Sequence, residues 1–309
     1  MKPHQFFKDA VEDLAALYPY AEARSLVIRL MHYYCDIERS QYILYPNMEF
    51  PPNCEEKLTG ALKRLLKGEP LQYVIGVQEF CGLEIEVERG VLIPRPETEE
   101  MVEWAFKLIE EKIQKDSGGV GYVPNGEEIN SVRPFTFLDV GCGSGAIVSA
   151  IANRFPQVEA YGCDVSEKAL EVAKRNLSKI APTEGKIFKC NLLKENLFEF
   201  LPERLPLFDF IVSNPPYVTE NEKEQMHLNV LNYEPAEALF VPNNNPLLFY
   251  KALEKLATRV LRPLGVLLME INEKFPNEVM ALFSSAKWSG VEAREDINSK
   301  PRMVKCIKI

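Results

Sequence analysis

The residues best suited to chemistry in this chain of 309 form two short clusters. Asn214-Pro215-Pro216-Tyr217 follows the apolar run Phe208 to Val212, which reads as a buried parallel strand ending at Ser213. Neither proline can donate to a ladder hydrogen bond, and each pushes the residue before it toward an extended conformation. The strand therefore ends in a stiff corner. It presents one amide side chain, carbonyls with no competing N–H, and one aromatic face. In open α/β sheets, ligands bind just past the carboxyl ends of strands. A Pro-Pro pair alone is usually a plain turn; the strand before it and the second cluster upstream give this one a functional reading.

The second cluster is Asp139-Val140-Gly141-Cys142-Gly143-Ser144-Gly145-Ala146, which joins a strand to a helix. Its glycines permit a tight turn and let a ligand approach bare backbone beside a helix N-terminus. Asp164 closes the next strand about 20 residues on, where an acidic side chain conventionally accepts from two ribose hydroxyls. Asp139 is placed to accept from a cationic or amino group over the loop. Gly141, Gly143 and Ala146 also fit the dinucleotide fingerprint, so the loop alone does not separate a nicotinamide enzyme from one that uses S-adenosylmethionine. Two features favour S-adenosylmethionine. An acid two residues before the first glycine suits a sulfonium ligand with an amino-acid tail, and the Asn-Pro-Pro-Tyr corner has no role in hydride transfer. Cys142 reads as a small loop residue, since no histidine lies near it in sequence.

These clusters need elements to hold them. From Phe135 onward the pattern alternates strand and helix, which predicts a parallel sheet covered on both faces. The predicted strands are Phe135–Val140, Glu159–Cys163, Lys186–Cys190, Phe208–Ser213 and Val266–Ile271, with two more near Gly290–Arg294 and Met303–Ile309. The predicted helices are Ala146–Arg154, Glu167–Ser178, Leu247–Leu261 and Phe275–Ser285. Upstream, apolar residues recur at helical spacing in Phe6–Leu17, Ala21–Tyr34 and Leu58–Leu66, a small helical bundle without chemistry of its own. From Gln72 to Ile93 the runs are short and alternating, with a turn at Glu88-Arg89-Gly90, as in a β-hairpin or an extended bridge between domains. Pro96 suits a first helical position, and Glu97, Glu99 and Glu100 complement the positive end of a helix reaching about Lys115. Asp116–Pro134 reads as a long loop.

Composition narrows the class. Hydrophobic content of 46% with 26% charged residues is that of a globular chain, and no stretch approaches the roughly 20 apolar residues a membrane span needs. The N-terminus leads into an acidic helical pattern and not a signal peptide. Seven cysteines contain no Cys-x-x-Cys pair and three histidines no pair at ligand spacing, so neither a disulfide framework nor a metal site is expected, and the cytoplasm is the expected compartment. A formal net charge of −9 with no Lys/Arg-rich run argues against a nucleic-acid duplex as direct partner.

With these residues in hand, the chain resembles the class I S-adenosylmethionine-dependent methyltransferases. More closely, it resembles the family that methylates the glutamine side-chain amide of peptide chain release factors. The likeness runs over most of the chain: Gln72-Tyr73-Val74-Ile75-Gly76 with Glu79-Phe80-x-Gly82, Leu92-Ile93-Pro94-Arg95-Pro96-Glu97-Thr98, the glycine loop, Ser213–Val218, and Glu234-Pro235 followed by Phe249-Tyr250. Pro-Arg-Pro-Glu-Thr is the most specific of these; Asn-Pro-Pro-Tyr is shared with amino-methylating DNA and RNA enzymes. The chain departs from the family pattern at Val241–Asn245, at Asn272 after Glu270-Ile271, and at Asn298–Arg302.

The resemblance implies a Rossmann-like seven-stranded methyltransferase domain over 94–309, preceded by a helical substrate-docking domain over 1–71 and a β-hairpin linker over 72–93. It implies S-adenosyl-L-methionine as donor, held by Asp139, Gly141, Cys142, Gly143, Ser144, Gly145, Asp164 and Asn214, with Leu192 packed near the adenine. The acceptor would be the glutamine of the Gly-Gly-Gln motif in class I release factors, met by Asn214, Pro215, Pro216, Tyr217 and Arg95, by a monomer. An amide nitrogen is a poor nucleophile because its lone pair is delocalised. If the Asn214 oxygen and the Pro215 carbonyl each accept one N–H, the lone pair returns to nitrogen, and Tyr217 can flank the amide plane. The competing readings are an amino-methyltransferase acting on DNA or RNA bases, a nicotinamide oxidoreductase, and a non-catalytic binding protein.

Overall fold

A computed structural model describes residues 1–117, 133–180, 189–200, 203 and 205–309, which divide into two compact units. The first comprises Met1–Val77 with Met226–Glu234. Its helices Pro3–Leu14, Tyr20–Cys35 and Cys54–Leu65 correspond to the three periodic runs. Phe6, Leu14, Val27, Leu30, Leu58 and Leu65 meet in its core, because residues three and four apart share one helix face. Two short helices, Arg39–Leu44 and Leu71–Ile75, were not visible as periodicity. The second corrects the extended reading from Gln72. Pro70 precedes it, Gly76 ends it at φ 84°, and the Arg64 guanidinium donates to the carbonyls of Tyr73 (2.8 Å) and Val74 (3.0 Å). The later segment of this unit carries a helix, Leu228–Tyr233, whose Tyr233 hydroxyl donates to the Lys67 carbonyl at 2.9 Å.

The second unit, Gln78–Gln225 with Pro235–Ile309, contains the sheet. A hairpin of Val77–Phe80 and Leu83–Glu86 leads into it. Its turn falls at Cys81 (φ 49°) and Gly82 (φ 74°), two successive positive φ values that match the twist of a tight hairpin. The predicted turn at Glu88-Arg89-Gly90 follows, with Gly90 at φ 92° and the Val91 N–H donating to the Glu88 carbonyl at 3.0 Å. Seven strands form one sheet: β1 (Thr136–Val140), β2 (Glu159–Asp164), β3 (Lys189–Lys194), β4 (Phe208–Ser213), β5 (Leu261–Glu270), β6 (Trp288–Glu295) and β7 (Pro301–Lys308), in spatial order 3-2-1-4-5-7-6. The first five run parallel, and β7 is antiparallel to both β5 and β6. The helices are α1 (Pro96–Ser117), α2 (Ala146–Arg154), α3 (Glu167–Ser178), α4 (Leu248–Val260) and α5 (Pro276–Leu282).

Most predicted boundaries hold within a few residues. Two strands run longer than predicted: β5 starts at Leu261 and not Val266, and β3 reaches Lys194 and not Cys190, its described partners running from Glu159↔Lys189 to Asp164↔Lys194. Residues 181–188 and most of the predicted loop, 118–132, lie outside the described residues. Every residue of β1 and β4 is buried. Strand order changes direction between these two strands, so the loops after them leave from neighbouring ends of the sheet, where an α/β fold binds ligands. Val140 and Ser213, the last residues of β1 and β4, are register partners, and the Ser213 hydroxyl donates to the Val140 carbonyl at 2.7 Å.

Candidate functional site

The glycine loop leaves β1 with its backbone tied to β2. The N–H groups of Gly141 and Cys142 both donate to the Cys163 carbonyl, at 2.8 and 2.9 Å. Gly141, Gly143 and Gly145 have φ of 73°, 54° and 75°, a region that disfavours any side chain. Their surroundings differ. A Cβ on Gly141 or Gly143 would meet nothing within 4 Å, whereas one on Gly145 would lie 2.9 Å from the Ala173 Cβ. The first two therefore leave backbone open, and the third lets α3 approach. Asn176 on α3, buried, locks the loop from behind: its Nδ2 donates to the carbonyls of Ser144 (2.8 Å) and Glu86 (3.0 Å), and its Oδ1 accepts from the Glu86 N–H (2.7 Å).

Asp164, at the end of β2, accepts from the Gly143 N–H at 2.9 Å and the Ser166 N–H at 2.8 Å. Burial raises its pKa, and these backbone bonds oppose the rise. A carboxylate has about four acceptor positions, so capacity remains for a ribose hydroxyl. Asp139 is fully buried. Its Oδ2 accepts from the Val148 N–H in the first turn of α2 at 3.2 Å, and its Oδ1 has no partner. Burial pushes its carboxyl up to about 8. Leu192 on β3 lies opposite Gly162, where an added Cβ would sit 3.0 Å from the Leu192 side chain and 3.3 Å from the Cys142 sulfur. Cys142 is buried and burial holds its thiol well above its ordinary pKa. An open glycine backbone, an acid with acceptor positions left over and an orphaned buried oxygen fit a nucleoside ligand carrying an ammonium group.

The corner after β4 is held by side chains from distant parts of the sequence. Asn214 is half-buried and its Nδ2 donates to the Thr98 hydroxyl at 3.0 Å. Thr98 donates to Oε2 of Glu270 at 2.7 Å, and the Tyr217 hydroxyl donates to Oε1 of the same carboxylate at 2.7 Å. Pro215 is buried and Pro216 half-buried. Asn272 fixes the next backbone step, its Nδ2 donating to the Tyr217 carbonyl (2.9 Å) and to Glu222 (3.0 Å). Arg95 stands half-buried at the start of α1, its carbonyl accepting from the Thr98 N–H at 3.1 Å. Sequence reasoning quoted Thr98 and Glu270 only as parts of motifs and met Asn272 only as a departure. A buried acid at the carboxyl end of β5 was the available signal. Asn176 and Gly162 left none.

A parallel sheet of this order, with a glycine loop after its first strand and an Asn-Pro-Pro-Tyr corner after its fourth, defines a methyltransferase-class domain. The Methyltransferase small domain family model matches residues 128–240, and the PrmC N-terminal domain model matches residues 5–76. The chain is 34% identical to the release factor glutamine methyltransferase of Flavobacterium psychrophilum over 96% of its own length and 95% of that protein. It is 31% identical to the protein of the same name in Bacteroides thetaiotaomicron, over 95% of each chain. For the Geobacter sulfurreducens protein the identity is 34% over 84% of this chain and 82% of the relative. The chain belongs to the release factor glutamine methyltransferase family. Among the described residues, no helix is long and apolar enough to cross a membrane.

Proposed function

We propose that this chain methylates the side-chain amide nitrogen of the glutamine in the Gly-Gly-Gln motif of class I peptide chain release factors, using S-adenosyl-L-methionine. The observation that carries this reading is the pairing of Val140 with Ser213, from which a nucleoside-type loop and an amide-bearing corner leave side by side. The donor, when bound, supplies an electrophilic methyl group on a sulfonium and leaves as S-adenosyl-L-homocysteine. Gly141 and Gly143 offer it open backbone, Asp164 accepts from the ribose hydroxyls, and Leu192 and Cys142 form an apolar wall beside Gly162. Asp139 accepts from the donor's ammonium.

At the corner, Asn214 Oδ1 and the Pro215 carbonyl each accept one N–H of the glutamine amide. Together they localise the nitrogen lone pair and aim it along the transfer line, so catalysis is positioning with electrostatic stabilisation. Tyr217, its hydroxyl anchored on Glu270, flanks the amide plane. The methylated nitrogen, transiently cationic, then passes one of its two protons to solvent water, without a tuned general base. Residues 1–71 hold the release factor, with Arg95 on the acceptor side, and the chain works as a cytoplasmic monomer without touching nucleic acid directly. Incubation with isotopically labelled donor and a class I release factor, followed by peptide mass spectrometry, tests the function. Label on the Gly-Gly-Gln glutamine is the expected result; a release factor left unlabelled would overturn it.

A further inference from the structure

An asparagine side chain has two faces of nearly the same shape, and only one of them can accept a hydrogen bond. With Oδ1 outward, Asn214 receives a substrate N–H; flipped, it presents its own hydrogens and repels one. The orientation is decided behind it. Asn214 Nδ2 meets the Thr98 hydroxyl at 3.0 Å, and that hydroxyl meets Glu270 Oε2 at 2.7 Å. A hydroxyl carries one proton. With that proton directed to the carboxylate, Thr98 can only accept from Asn214. The other Glu270 oxygen accepts from the Tyr217 hydroxyl. Both Thr98 (3%) and Glu270 (1%) are shielded from solvent, where an unmade hydrogen bond is costly.

We propose that Thr98 and Glu270 are positioning residues: a one-way hydrogen-bond chain from Asn214 through Thr98 to the Glu270 carboxylate holds Asn214 Oδ1 toward the substrate amide. The same chain draws electron density onto that oxygen, as linked hydrogen bonds polarise one another. This inference rests on the methyl-transfer reading above. It also gives the Pro-Arg-Pro-Glu-Thr segment a physical task, since α1 begins at Pro96 and Thr98 is its third residue. Burial pushes the Glu270 carboxyl upward; the bonds from Thr98 and Tyr217 and the Arg302 guanidinium pull it down, and Glu97 adds a like charge. Arg302 is itself held by Asp296 at 3.0 Å and Glu273 at 3.1 Å.

Two measurements test the chain, using Thr98→Val, which keeps the shape, and Thr98→Ser, which keeps the hydroxyl. The first needs no substrate. In NMR spectra the Asn214 side-chain amide protons, assigned by their loss in Asn214→Ala, should include one that exchanges slowly in the wild type and in Thr98→Ser but not in Thr98→Val. The second is single-turnover methyl transfer. Thr98→Val should slow the chemical step about 5- to 150-fold, the kinetic equivalent of one unmade buried hydrogen bond, with donor affinity unchanged by calorimetry. Thr98→Ser should stay within about threefold of wild type. A folded Thr98→Val with wild-type exchange and rate overturns the proposal, as does a Thr98→Ser as slow as Thr98→Val. A wild-type chain that methylates no release factor overturns the functional reading and the catalytic use of the chain with it. The exchange experiment then still decides whether Thr98 orients the amide.

Discussion

The loop after β1 and the corner after β4 stand at paired strand ends yet are built on opposite principles. The donor side is a backbone site. Gly141 and Gly143 bare the chain, Gly145 lets α3 approach, and the side chains of Asp164 and Asn176 work mainly by accepting from and donating to main-chain groups. The acceptor side is a side-chain site. Thr98, the Asn214–Tyr217 corner and Glu270 converge from three stretches of the sequence into one hydrogen-bonded group. A donor common to many enzymes can be held by backbone that changes little. One amide among all the protons of a protein substrate has to be recognised by groups whose direction is fixed.

The largest effect should come from removing the group at the centre of the acceptor side. Asn214→Ala should lower kcat by roughly 10²–10³-fold, as loss of one preorganised hydrogen-bonding group does, while donor affinity changes little. Single-turnover rates beside donor titrations make the check; an alanine variant with normal kcat would reduce the corner to a turn. Asn214→Asp sharpens the test. An ionised carboxylate at this position would face a Thr98 hydroxyl already committed to Glu270, so two acceptors would meet beside a buried anion. Only the protonated acid reproduces the asparagine pattern. The activity of this variant should therefore rise as pH falls, through a pKa raised by burial and by Glu270.

The next effect separates two glycines of the donor side. Gly145→Ala places a Cβ 2.9 Å from that of Ala173 at φ 75°, so overpacking and a left-handed backbone act together. A loss of about 2–3 kcal/mol of folding stability is expected in chemical denaturation. Gly143→Ala has open space at φ 54° and should lose only about 1 kcal/mol, yet weaken donor binding more than Gly145→Ala does per unit of stability lost. Equal stability losses in the two variants would mean that α3 does not press on the loop as described.

The same contrast explains what could be read from the sequence. The donor side was legible because backbone sites leave local signatures: glycines at 141, 143 and 145 and an acid at 164 are recognisable by spacing alone. The sheet was legible for a similar reason, since β1 and β4 are unbroken buried runs, mostly apolar. At the acceptor side the corner itself was readable, because two prolines constrain their neighbours. Its supports were not. Thr98 and Glu270 are 172 residues apart, and nothing in periodicity announces that they will bond. Asn272 read as a departure from the family pattern, whereas in the fold it clamps the Tyr217 carbonyl. Asn176 sits in a strongly amphipathic helix where an asparagine on the buried face looked like noise; its three bonds to Glu86 and Ser144 emerge only once the hairpin lies against α3. The hairpin's own turn left no signal, because Cys81, not a typical residue for positive φ, adopts 49°.

A smaller effect belongs to Asp164. Its carboxylate is already engaged by two N–H groups, so Asp164→Ala should loosen the Gly143 backbone as well as remove the ribose acceptor. A loss of about 1.5–3 kcal/mol in donor binding is expected by calorimetry, the range for a hydrogen bond to a charged group. Asn214→Ala, measured in parallel, should show much less. If both variants lost donor affinity alike, the two sides would not be separable.

The smallest effect is a proton. Asp139 has an ordinary carboxyl pKa of 3.8 in the unfolded chain and about 8 in its buried place beneath the loop. Below about 4 both states hold the proton; between about 4 and 8 only the folded state does, so the acid's contribution to stability is present at low pH and lost as pH rises through that window. A donor whose ammonium reaches the unpartnered Oδ1 favours the ionised form and reverses this preference. Binding near neutral pH should then release up to one proton and tighten as pH climbs toward 8. Calorimetry in buffers of different ionisation enthalpy reads the number released. Asp164, whose pKa burial also raises, can add to it, so the informative comparison is Asp139→Asn. Release that disappears in Asp139→Asn places the ammonium at Oδ1. Release of the same size in that variant would leave Asp139 a buried cap on α2, bonded to Val148 and nothing more.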